Sequence, residues 1–364
     1  MIAAGLMSGT SADGIDAAAV ALDGGRPRFV AHVGRPYPPL IKNRALAAAS
    51  GAPMGAADLA RLHAAIGDEY AEAALALAER LGRSLDCVAV HGQTVAHHPA
   101  EGVTFQLGDA SRVAIATGAP VICDFRSADV ALGGQGAPLV PFADHLLFAE
   151  GAPRAILNLG GIANLTLLPT DQADDVIAFD TGPANMVIDQ LARKRGEELD
   201  RDGAAAARGH VVETALRRAL DHPFFSRAAP KSTGREDFGA TFTQGLLRDV
   251  HDAGGSLDDA IATATELTAE SVAQGLRAAP VKATRWRELL VAGGGAANPT
   301  LLARIGARTG LEPRPTDELG VPARAREAMA FAILGAYRMR GQPNTLPRCT
   351  GASRAVSAGA IHRP

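Results

Sequence analysis

The sequence lacks several features that would place it in a familiar class. Its 364 residues include three cysteines, Cys87, Cys123 and Cys349, which have neither the spacing of a metal site nor the even number of a disulfide framework. No segment approaches about 18 uninterrupted apolar residues, and no basic segment followed by a long apolar stretch stands at the N-terminus. These absences argue against a secreted or membrane-spanning protein, so we expect a protein of the reducing cytoplasm.

Blocks of like charge and the common phosphate-binding motifs are also missing. The net charge is −3 without a basic or acidic run, so we expect neither nucleic acid nor a membrane as a partner. The P-loop pattern Gly-x-x-x-x-Gly-Lys-Ser/Thr is absent, and no Gly-x-Gly-x-x-Gly follows an early strand. A hydrophobic content of 47% and a charged content of 21% are typical of a globular protein, and the length allows two domains.

The N-terminal segment Gly5–Asp16 is the first candidate site. Apolar residues flank Ser-Gly-Thr-Ser and Asp-Gly here, a pattern that predicts a β-hairpin with a polar tip. Hydroxyl groups and backbone N–H groups at such a tip suit phosphate oxygens. Asp13 and Asp16 are acidic, which a bound Mg²⁺ would explain, because Mg²⁺ takes carboxylate ligands together with phosphates. The alternative is a surface hairpin whose Gly and Asp serve only the turn.

Polar clusters follow two short apolar strands in the first half of the chain. The strand Cys87–Val90 runs into His91-Gly92-Gln93-Thr94, and the strand Val121–Asp124 is followed by Arg126 and Asp129. Open α/β sheets bind ligands at the carboxyl ends of their strands. A guanidinium suits a carboxylate or phosphate because it binds two oxygens at once. The alternatives are a structural histidine and an Arg–Asp pair that only fixes a loop.

A second glycine hairpin and a strand-end carboxylate stand in the second half. Apolar strands flank Gly160-Gly161-Ile162-Ala163-Asn164, and the strand Ile177–Asp180 ends at Gly182, ahead of a helix. A glycine loop that leads into a helix N-terminus is an anion site, and a carboxylate beside it suits a general base. Capping is the alternative role of Asp180. Further on, Gly293-Gly294-Gly295 between a strand and a helix lets a flat ring or a phosphate lie against the backbone.

The second half therefore repeats the plan of the first. This order predicts an α/β fold of two lobes, with duplicated mixed sheets flanked by helices and a nucleotide cleft between the lobes. We expect residues 1–130, joined by the tail 340–364, to form the first lobe and residues 131–339 the second. The flexible Gly133–Pro138 is the predicted junction. Apolar residues at helical spacing also predict a helix over Ala56–Leu81, ended by Gly82.

In these motifs the chain resembles the anhydro-N-acetylmuramic acid kinases, of the actin/hexokinase/Hsp70-like ATPase superfamily. The matching segments cover nearly the whole chain: Gly5–Asp16, 91–94, 108–109, 124–126, 133–141, 158–165, 179–185, 230–236, 293–299, 327–332 and 350–353. The resemblance implies an actin-like, ribonuclease H-like ATPase fold. It also implies an ATP- and Mg²⁺-dependent kinase that hydrolytically opens the ring of 1,6-anhydro-N-acetylmuramic acid and phosphorylates O6. The product would be N-acetylmuramic acid 6-phosphate, in the recycling of bacterial peptidoglycan.

The resemblance also implies roles for individual residues. Asp180 would be the base that deprotonates the attacking water, and Asp13 would hold Mg²⁺ directly or through water. The nucleotide contacts implied are Gly9, Thr10, Ser11, Ala12, Asp13, Gly14, Ile15, Asp16, Gly160, Gly161, Gly182, Gly293, Gly294, Gly295 and Asn298. Arg126 would meet the lactyl carboxylate of the sugar, and the other sugar contacts implied are Ser8, His91, Gln93, Thr94, Asn164 and Glu327.

Two other functions stay open from the sequence. An ordinary sugar kinase of the same superfamily would phosphorylate a free hydroxyl without ring opening. A nucleotide-switched scaffold or chaperone would turn over ATP without any sugar, although the sequence has no peptide-binding β-domain. We expect a small-molecule sugar as partner, and a homodimer stays open.

Overall fold

The computed structural model describes residues 1–279 and 285–364. The strands are β1 Ile2–Met7, β2 Gly14–Ala21, β3 Arg28–Pro36, β4 Cys87–Val90, β5 Gln93–His98, β6 Val103–Leu107, β7 Val121–Cys123, β8 Arg154–Leu159, β9 Ile162–Leu168, β10 Ile177–Pro183, β11 Glu288–Ala292, β12 Pro313–Pro315 and β13 Ala360–His362. The α-helices are α1 Pro39–Ala49, α2 Ala56–Leu81, α3 Ala110–Thr117, α4 Ser127–Ala131, α5 Val140–Phe148, α6 Asn185–Arg193, α7 Ala204–Arg208, α8 Glu213–Leu220, α9 Pro223–Ser226, α10 Arg235–Phe238, α11 Ala240–Asp252, α12 Leu257–Ala278, α13 Pro299–Thr309, α14 Arg326–Met339 and α15 Pro347–Thr350. Short 3₁₀ turns cover Pro99–Glu101, Ala173–Asp175, Arg201–Gly203, Gly294–Ala297 and Thr316–Leu319.

The chain divides into two compact units, residues 1–147 with 320–364, and residues 148–319. These bounds differ from the lobes expected from the sequence, because α14 packs on β1, β2 and β4 of the first unit. Asp144 of α5 also forms a fully buried, two-bond ion pair with Arg326 of α14. The segment Gly133–Pro138 lies inside the first unit, so the chain crosses between units further on, after Leu147.

The first unit is built on a sheet with the strand order β3-β2-β1-β4-β7-β13. Strands β1 and β2 form the antiparallel hairpin that the sequence predicted, and β3 continues it. Strands β4 and β7 then extend the sheet in parallel, with β13 antiparallel at the edge. A side chain at Gly5 of β1 would overlap the backbone of Ala328, so the glycine lets α14 lie directly on the strand.

The second unit repeats this arrangement. Its sheet has the order β10-β9-β8-β11-β12, with β8, β9 and β10 antiparallel and β11 and β12 parallel to β8. These five strands correspond, in chain order and direction, to β1, β2, β3, β4 and β7. The predicted duplicated mixed sheets flanked by helices are therefore confirmed, and the order is that of the ribonuclease H-like, actin-like ATPase fold.

The sequence patterns that predict helices and strands account for most of these elements. The predicted helix over Ala56–Leu81 is confirmed: its apolar face is buried, and Gly82 ends it at φ 63°. His91 and Gly92 follow the end of β4 as expected, and Gln93 then begins a further strand, β5, which pairs with β6 in a separate ribbon. Among the described helices, none combines the length and the apolar character needed to cross a bilayer.

Candidate functional site

The tip of the β1–β2 hairpin is shaped by a side chain from β5. The Ser8 hydroxyl is buried and donates to Oε1 of Gln93 at 2.6 Å, while Nε2 of Gln93 donates to the carbonyl of Gly9 at 3.1 Å. The Ala12 N–H also donates to Gly9, and Ala12 has a left-handed φ of 50°. The structure thus brings together Ser8 and Gln93, two predicted sugar contacts, and gives the loop a fixed shape.

The two acidic residues of this hairpin each have a basic partner that the sequence did not predict. Lys42 Nζ lies 2.5 Å from Asp13 Oδ1, and His32 Nε2 lies 2.7 Å from Asp16 Oδ1. The hydrogen bond from Lys42, supported by the Ser11 hydroxyl, holds the pKa of Asp13 below its ordinary value. This hydrogen bond therefore favours the ionised form of Asp13.

A magnesium ion would find one carboxylate here rather than a protein cage. No group of three or more His, Cys, Asp or Glu side chains arranged to hold a metal occurs in residues 1–279 and 285–364. Mg²⁺ is commonly held by one or two carboxylates together with substrate phosphates and water. The exposed, ionised Asp13 fits that mode of binding.

The strand ends of β4 and β7 bring His91 and Arg126 together. Arg126 donates from Nη1 to the carbonyl of Gly136 and from Nη2 to Nε2 of His91, each at 2.6 Å. This arrangement leaves the ring proton of His91 on Nδ1. Burial, followed by the charge of Arg126, lowers the pKa of His91 well below its ordinary value, so the imidazole is neutral. Burial likewise lowers the pKa of Arg126 to about 10.

Each of these two side chains keeps one buried donor without a partner. Nδ1 of His91 and Nε of Arg126 make no hydrogen bond within the described part of the chain. Buried polar atoms are nearly always satisfied, so these two donors at adjoining strand ends are available to a ligand. The two donors suit an acceptor-rich group such as a carboxylate.

Arg126 and Asp129 both hold the same loop, Arg126 through the carbonyl of Gly136 and Asp129 through its N–H, so the loop-fixing role considered from the sequence applies to both. Asp129 is fully buried and accepts hydrogen bonds from the Gly136 N–H at 2.8 Å and from the Thr350 hydroxyl at 2.7 Å. Asp129 thus holds the glycine segment together with Arg126 and also binds the C-terminal tail through Thr350. Nε is the donor of Arg126 that this arrangement leaves without a partner in the described part of the chain.

Glu327 belongs to the same neighbourhood of the first unit. Burial raises the pKa of Glu327, and the charges that act on it include those of Arg326, Asp16 and Arg126. One turn further along α14, Phe331 packs against the His91 ring with centroids 4.7 Å apart. Thr94, half-buried on β5, completes the predicted sugar contacts of this unit.

In the second unit, Asp180 lies in β10 directly opposite Asn164 of β9. Its Oδ2 accepts a hydrogen bond from the Thr233 N–H at 2.9 Å, and its own N–H donates to the Lys231 carbonyl at 2.9 Å. Burial raises the pKa of Asp180 to about 6, against the hydrogen bond from Thr233, and Glu236 adds to the increase. The segment Lys231–Thr233 thus fixes the carboxylate from outside its own strand.

Asp180 does not cap the helix that follows it. The residue before α6 is Ala184, and no side chain caps that end. Capping of α6 by Asp180 is therefore excluded, whereas the hydrogen bond from the Thr233 N–H shows that its side chain does hold the turn at 231–233. A partly buried carboxylate with a pKa near neutrality and one fixed oxygen matches what a general base requires.

The glycine loops of this unit meet where the parallel strands β8 and β11 end. The N–H groups of Asn185 and Met186 at the start of α6 donate to the carbonyls of Gly160 and Gly161 at 3.1 Å. Gly293 has φ 82°, and a side chain there would lie 2.8 Å from the Leu159 carbonyl. These contacts assemble the predicted loops, but they also occupy the first N–H groups of α6. The anion site expected at that helix N-terminus is therefore already satisfied by backbone.

Two further predicted nucleotide contacts have structural roles. A side chain at Gly182 would lie 2.8 Å from the Phe225 ring and 3.2 Å from the Ser271 hydroxyl, so close packing explains the glycine. Asn298 is buried, and its Oδ1 caps α13 by accepting from the Leu301 N–H at 2.9 Å. Lys42, Lys231 and Thr233 are the site residues that the sequence reasoning missed. For Lys231 and Thr233, the only sign in the sequence was that they lie in the polar loop 230–236.

Known proteins match this chain over its full length. The family model described as anhydro-N-acetylmuramic acid kinase matches residues 1–364. The relatives of that name from Salinibacter ruber and Synechococcus sp. (strain CC9605) are each 43% identical and cover 99% of this chain, with 96% and 99% of their own lengths matched. The relative from Xanthomonas campestris pv. campestris is 44% identical over 98% of this chain and 96% of its own. Solved structures align only distantly: the activator of 2-hydroxyisocaproyl-CoA dehydratase from Clostridium difficile reaches a TM-score of 0.46 at 13% identity, covering 92% of this chain and 93% of its own.

Proposed function

Because the chain belongs to the anhydro-N-acetylmuramic acid kinase family, we propose that it opens the ring of 1,6-anhydro-N-acetylmuramic acid and phosphorylates the freed oxygen. Water adds to C1, the C1–O6 bond breaks, and O6 takes the γ-phosphoryl group of ATP. The products are N-acetylmuramic acid 6-phosphate and ADP, a step that suits the recycling of peptidoglycan. The observation that carries the chemistry is the buried, backbone-held carboxylate of Asp180.

Asp180 has the properties that the water-activating step needs. With a pKa of about 6, it is ionised at neutral pH yet more basic than an ordinary aspartate. The Thr233 N–H holds Oδ2, which leaves Oδ1 to take a proton from water. As the water oxygen bonds to C1, the electron pair of the C1–O6 bond moves to O6. O6 then bonds to the γ-phosphorus, and ADP leaves.

Recognition of the sugar is assigned to the first unit. The lactyl group of the substrate carries a carboxylate, and the unpaired Nε of Arg126 beside Nδ1 of His91 offers two donors for it. Ser8, Gln93, Thr94 and Glu327 supply further hydroxyl, amide and carboxylate groups for the sugar oxygens. From the second unit, Asn164 faces Asp180 across the β9–β10 pair.

ATP is assigned to the hairpin tip Gly9–Asp16 and to the glycine loops 160–161 and 293–295. Magnesium, when bound with ATP, neutralises charge on the transferring phosphoryl group. Asp13 is the residue that would hold it together with the phosphates. We place this reaction in the cytoplasm, where ATP is available. Analytical sedimentation would show whether the chain forms a homodimer.

Product analysis tests the proposal directly. The purified protein, ATP, MgCl₂ and the anhydro sugar should yield a phosphomonoester signal in ³¹P NMR and a product whose mass has gained one water and one phosphoryl group. Chelation of Mg²⁺ should stop the reaction. An ordinary sugar kinase would add the phosphoryl group without the water. ATP turnover that ignores the sugar would overturn the assignment in favour of a nucleotide-switched scaffold.

A further inference from the structure

A cavity of about 580 Å³ lies in the second unit, on the opposite side of β10 from Asp180. Phe179 and Thr181 line it, while Asp180, the residue between them, does not, as expected from the alternation of side chains along a strand. The loop after α9 and the last two turns of α12 form its other walls. Its volume is in the range of small-molecule sites, about 300–1,000 Å³.

The lining of this cavity is unusually cationic. It contains Arg227, Lys231 and Arg277 together with the hydroxyl groups of Ser226 and Ser271, and it contains no carboxylate side chain among the described residues. Three positive charges around one concave surface attract an anion unless each is neutralised nearby. Whether the cavity attracts an anion therefore depends on the partners of these three side chains.

Lys231 has only neutral partners in the described part of the chain. Its Nζ donates to the carbonyls of Phe224 and Phe225 at 3.1 and 3.2 Å and lies 4.4 Å from the centre of the Phe224 ring. An ammonium group has three donors, so one remains. Burial, followed by the nearby charge of Arg227, lowers the pKa of Lys231. A bound anion would stabilise the charged ammonium and so oppose this decrease in the pKa of Lys231.

The two arginines are only weakly neutralised. Arg227 lies over the same Phe224 ring, at 5.6 Å, and is 3.7 Å from its nearest carboxylate oxygen, on Asp237. Arg277 pairs with Glu270 at 2.7 Å, with more than half of its side chain exposed. Exposed pairs of this kind contribute little and are readily exchanged. Each guanidinium carries five N–H donors, so both keep donors for a ligand.

We propose that this cavity binds a phosphate ester of sugar size. A phosphoryl group carries about 1.5 to 2 negative charges at neutral pH and three acceptor oxygens, which match three cationic side chains better than a single carboxylate does. Phe179, Phe225 and Gly275 provide apolar wall for the faces of a sugar ring. This is a second site, and binding there does not depend on the proposed reaction.

The cavity also shares a segment with the candidate base. Lys231 extends its side chain into the cavity lining while its carbonyl accepts the Asp180 N–H. Gly182, two residues beyond Asp180, packs against Phe225 and Ser271, which also line the cavity. A ligand would therefore rest on the same loop and strand that hold the carboxylate.

Calorimetric titration of the whole protein without ATP tests this inference. The probes are N-acetylglucosamine 6-phosphate, N-acetylglucosamine and inorganic phosphate. We expect saturable binding of the phosphate ester and at least about tenfold weaker binding of the unphosphorylated sugar, since a charge-assisted contact is lost. Inorganic phosphate should bind between the two.

Variants locate the binding. Lys231→Met and Arg277→Gln should each weaken binding of the phosphate ester by about tenfold or more. The matched control is Arg218→Gln, which removes an exposed arginine of the same unit that pairs with Asp249, and it should leave binding unchanged. Asp180→Asn should also leave it unchanged.

Two results would overturn the proposal: equal binding of the two sugars, or binding that is lost in Asp180→Asn and kept in Arg277→Gln. The second result would place the ligand at the catalytic site. Arg277 is on the surface of α12, so its variant keeps the test decisive even if Lys231→Met does not fold. The product assay described above fails or succeeds independently of these titrations.

Discussion

The two units share one strand order but place different chemistry on it. In the first, the strand ends carry the polar side chains Gln93, His91 and Arg126, with two buried donors left unpaired. In the second, glycine turns follow β8 and β11, and the one carboxylate, Asp180, lies within β10. The duplicated sheet is thus a common platform, and we propose that the first copy recognises the substrate while the second supplies the base.

The two hairpins show the same contrast in their backbones. The tip between β1 and β2 is six residues long, from Ser8 to Asp13, and contains hydroxyl groups and an ionised carboxylate. The turn between β8 and β9 is only Gly160-Gly161, and its carbonyls already accept N–H groups from the start of α6. The first hairpin therefore presents side chains that can bind a nucleotide. The second contributes mainly backbone hydrogen bonds that hold the fold together.

Removal of the candidate base should have the largest effect. We expect Asp180→Asn to lower kcat by about 10²–10⁴-fold, the usual contribution of a positioned general base, while ATP binding is kept. The amide oxygen still accepts from Thr233, so the strand geometry persists. A coupled ADP assay and an ATP titration measure the two quantities. Near-normal turnover would show that the second unit does not carry the chemistry.

Removal of the Arg126 guanidinium in the first unit should weaken binding of the sugar rather than slow the chemical step. Arg126→Ala should raise KM for the anhydro sugar by about 10- to 100-fold, the value of a charged hydrogen bond, with a much smaller effect on KM for ATP. Arg112→Ala, which removes an exposed arginine of the same unit paired with Asp68, is the matched control. If Arg126→Ala raised both KM values equally, Arg126 would be a structural residue and the contrast between the units would fail.

The pH dependence of stability sharpens the assignment of Asp180. Its pKa is about 6 in the folded protein and 3.8 as the ordinary value, so the folded state binds more protons between these pH values. The wild type should therefore lose roughly 1–3 kcal/mol more stability than Asp180→Asn as pH rises from about 4 to 7, because other groups such as Asp189, whose pKa is also raised to about 6, titrate in both proteins.

Urea unfolding at pH 4 and pH 7.5 measures this difference. The variant should be more stable than the wild type at the higher pH and lose that advantage at the lower one. The same ionisation predicts that kcat/KM falls as pH drops below about 6, because a protonated base cannot accept a proton. A pH-independent stability difference would mean that Asp180 is not buried as described.

The smallest expected effect is at Asn298. A role as helix cap and a role as nucleotide contact predict different results for two substitutions there. Asn298→Ala removes the acceptor for the Leu301 N–H and should cost about 1 kcal/mol of stability. Asn298→Asp keeps that acceptor, removes the amide donors and adds a negative charge, which a nucleotide contact would also oppose. Thermal unfolding should therefore separate the two variants. A rise in KM for ATP in Asn298→Asp would restore the predicted nucleotide contact.

Local sequence patterns were enough to find the strands and their polar ends. Asp180 stands out in the sequence because it follows an apolar run and precedes a glycine turn, and Arg126 because it follows another apolar run. The partners of these residues lie far away in sequence: Thr233 is 53 positions from Asp180, and Gly136 and His91 reach Arg126 from other segments. No local pattern encodes such contacts, which depend on tertiary packing.

The errors have a similar physical origin. The strand Ile177–Asp180 was expected to end at Asp180, but pairing with β9 extends β10 to Pro183. The N–H groups of α6 were expected to be free, but the tight glycine turn places two carbonyls against them. Long-range register and backbone partners decided both cases.

Ring opening by water is the central claim, and an isotope experiment tests it most directly. The reaction should be run in ¹⁸O-enriched water, with unlabelled N-acetylmuramic acid in the same water as a control for exchange at C1. We predict one ¹⁸O atom at C1, beyond the exchange seen in the control, and none in the bridge between C6 and phosphorus. Label that never exceeds the exchange control, or label in the phosphate ester bridge, would contradict the account.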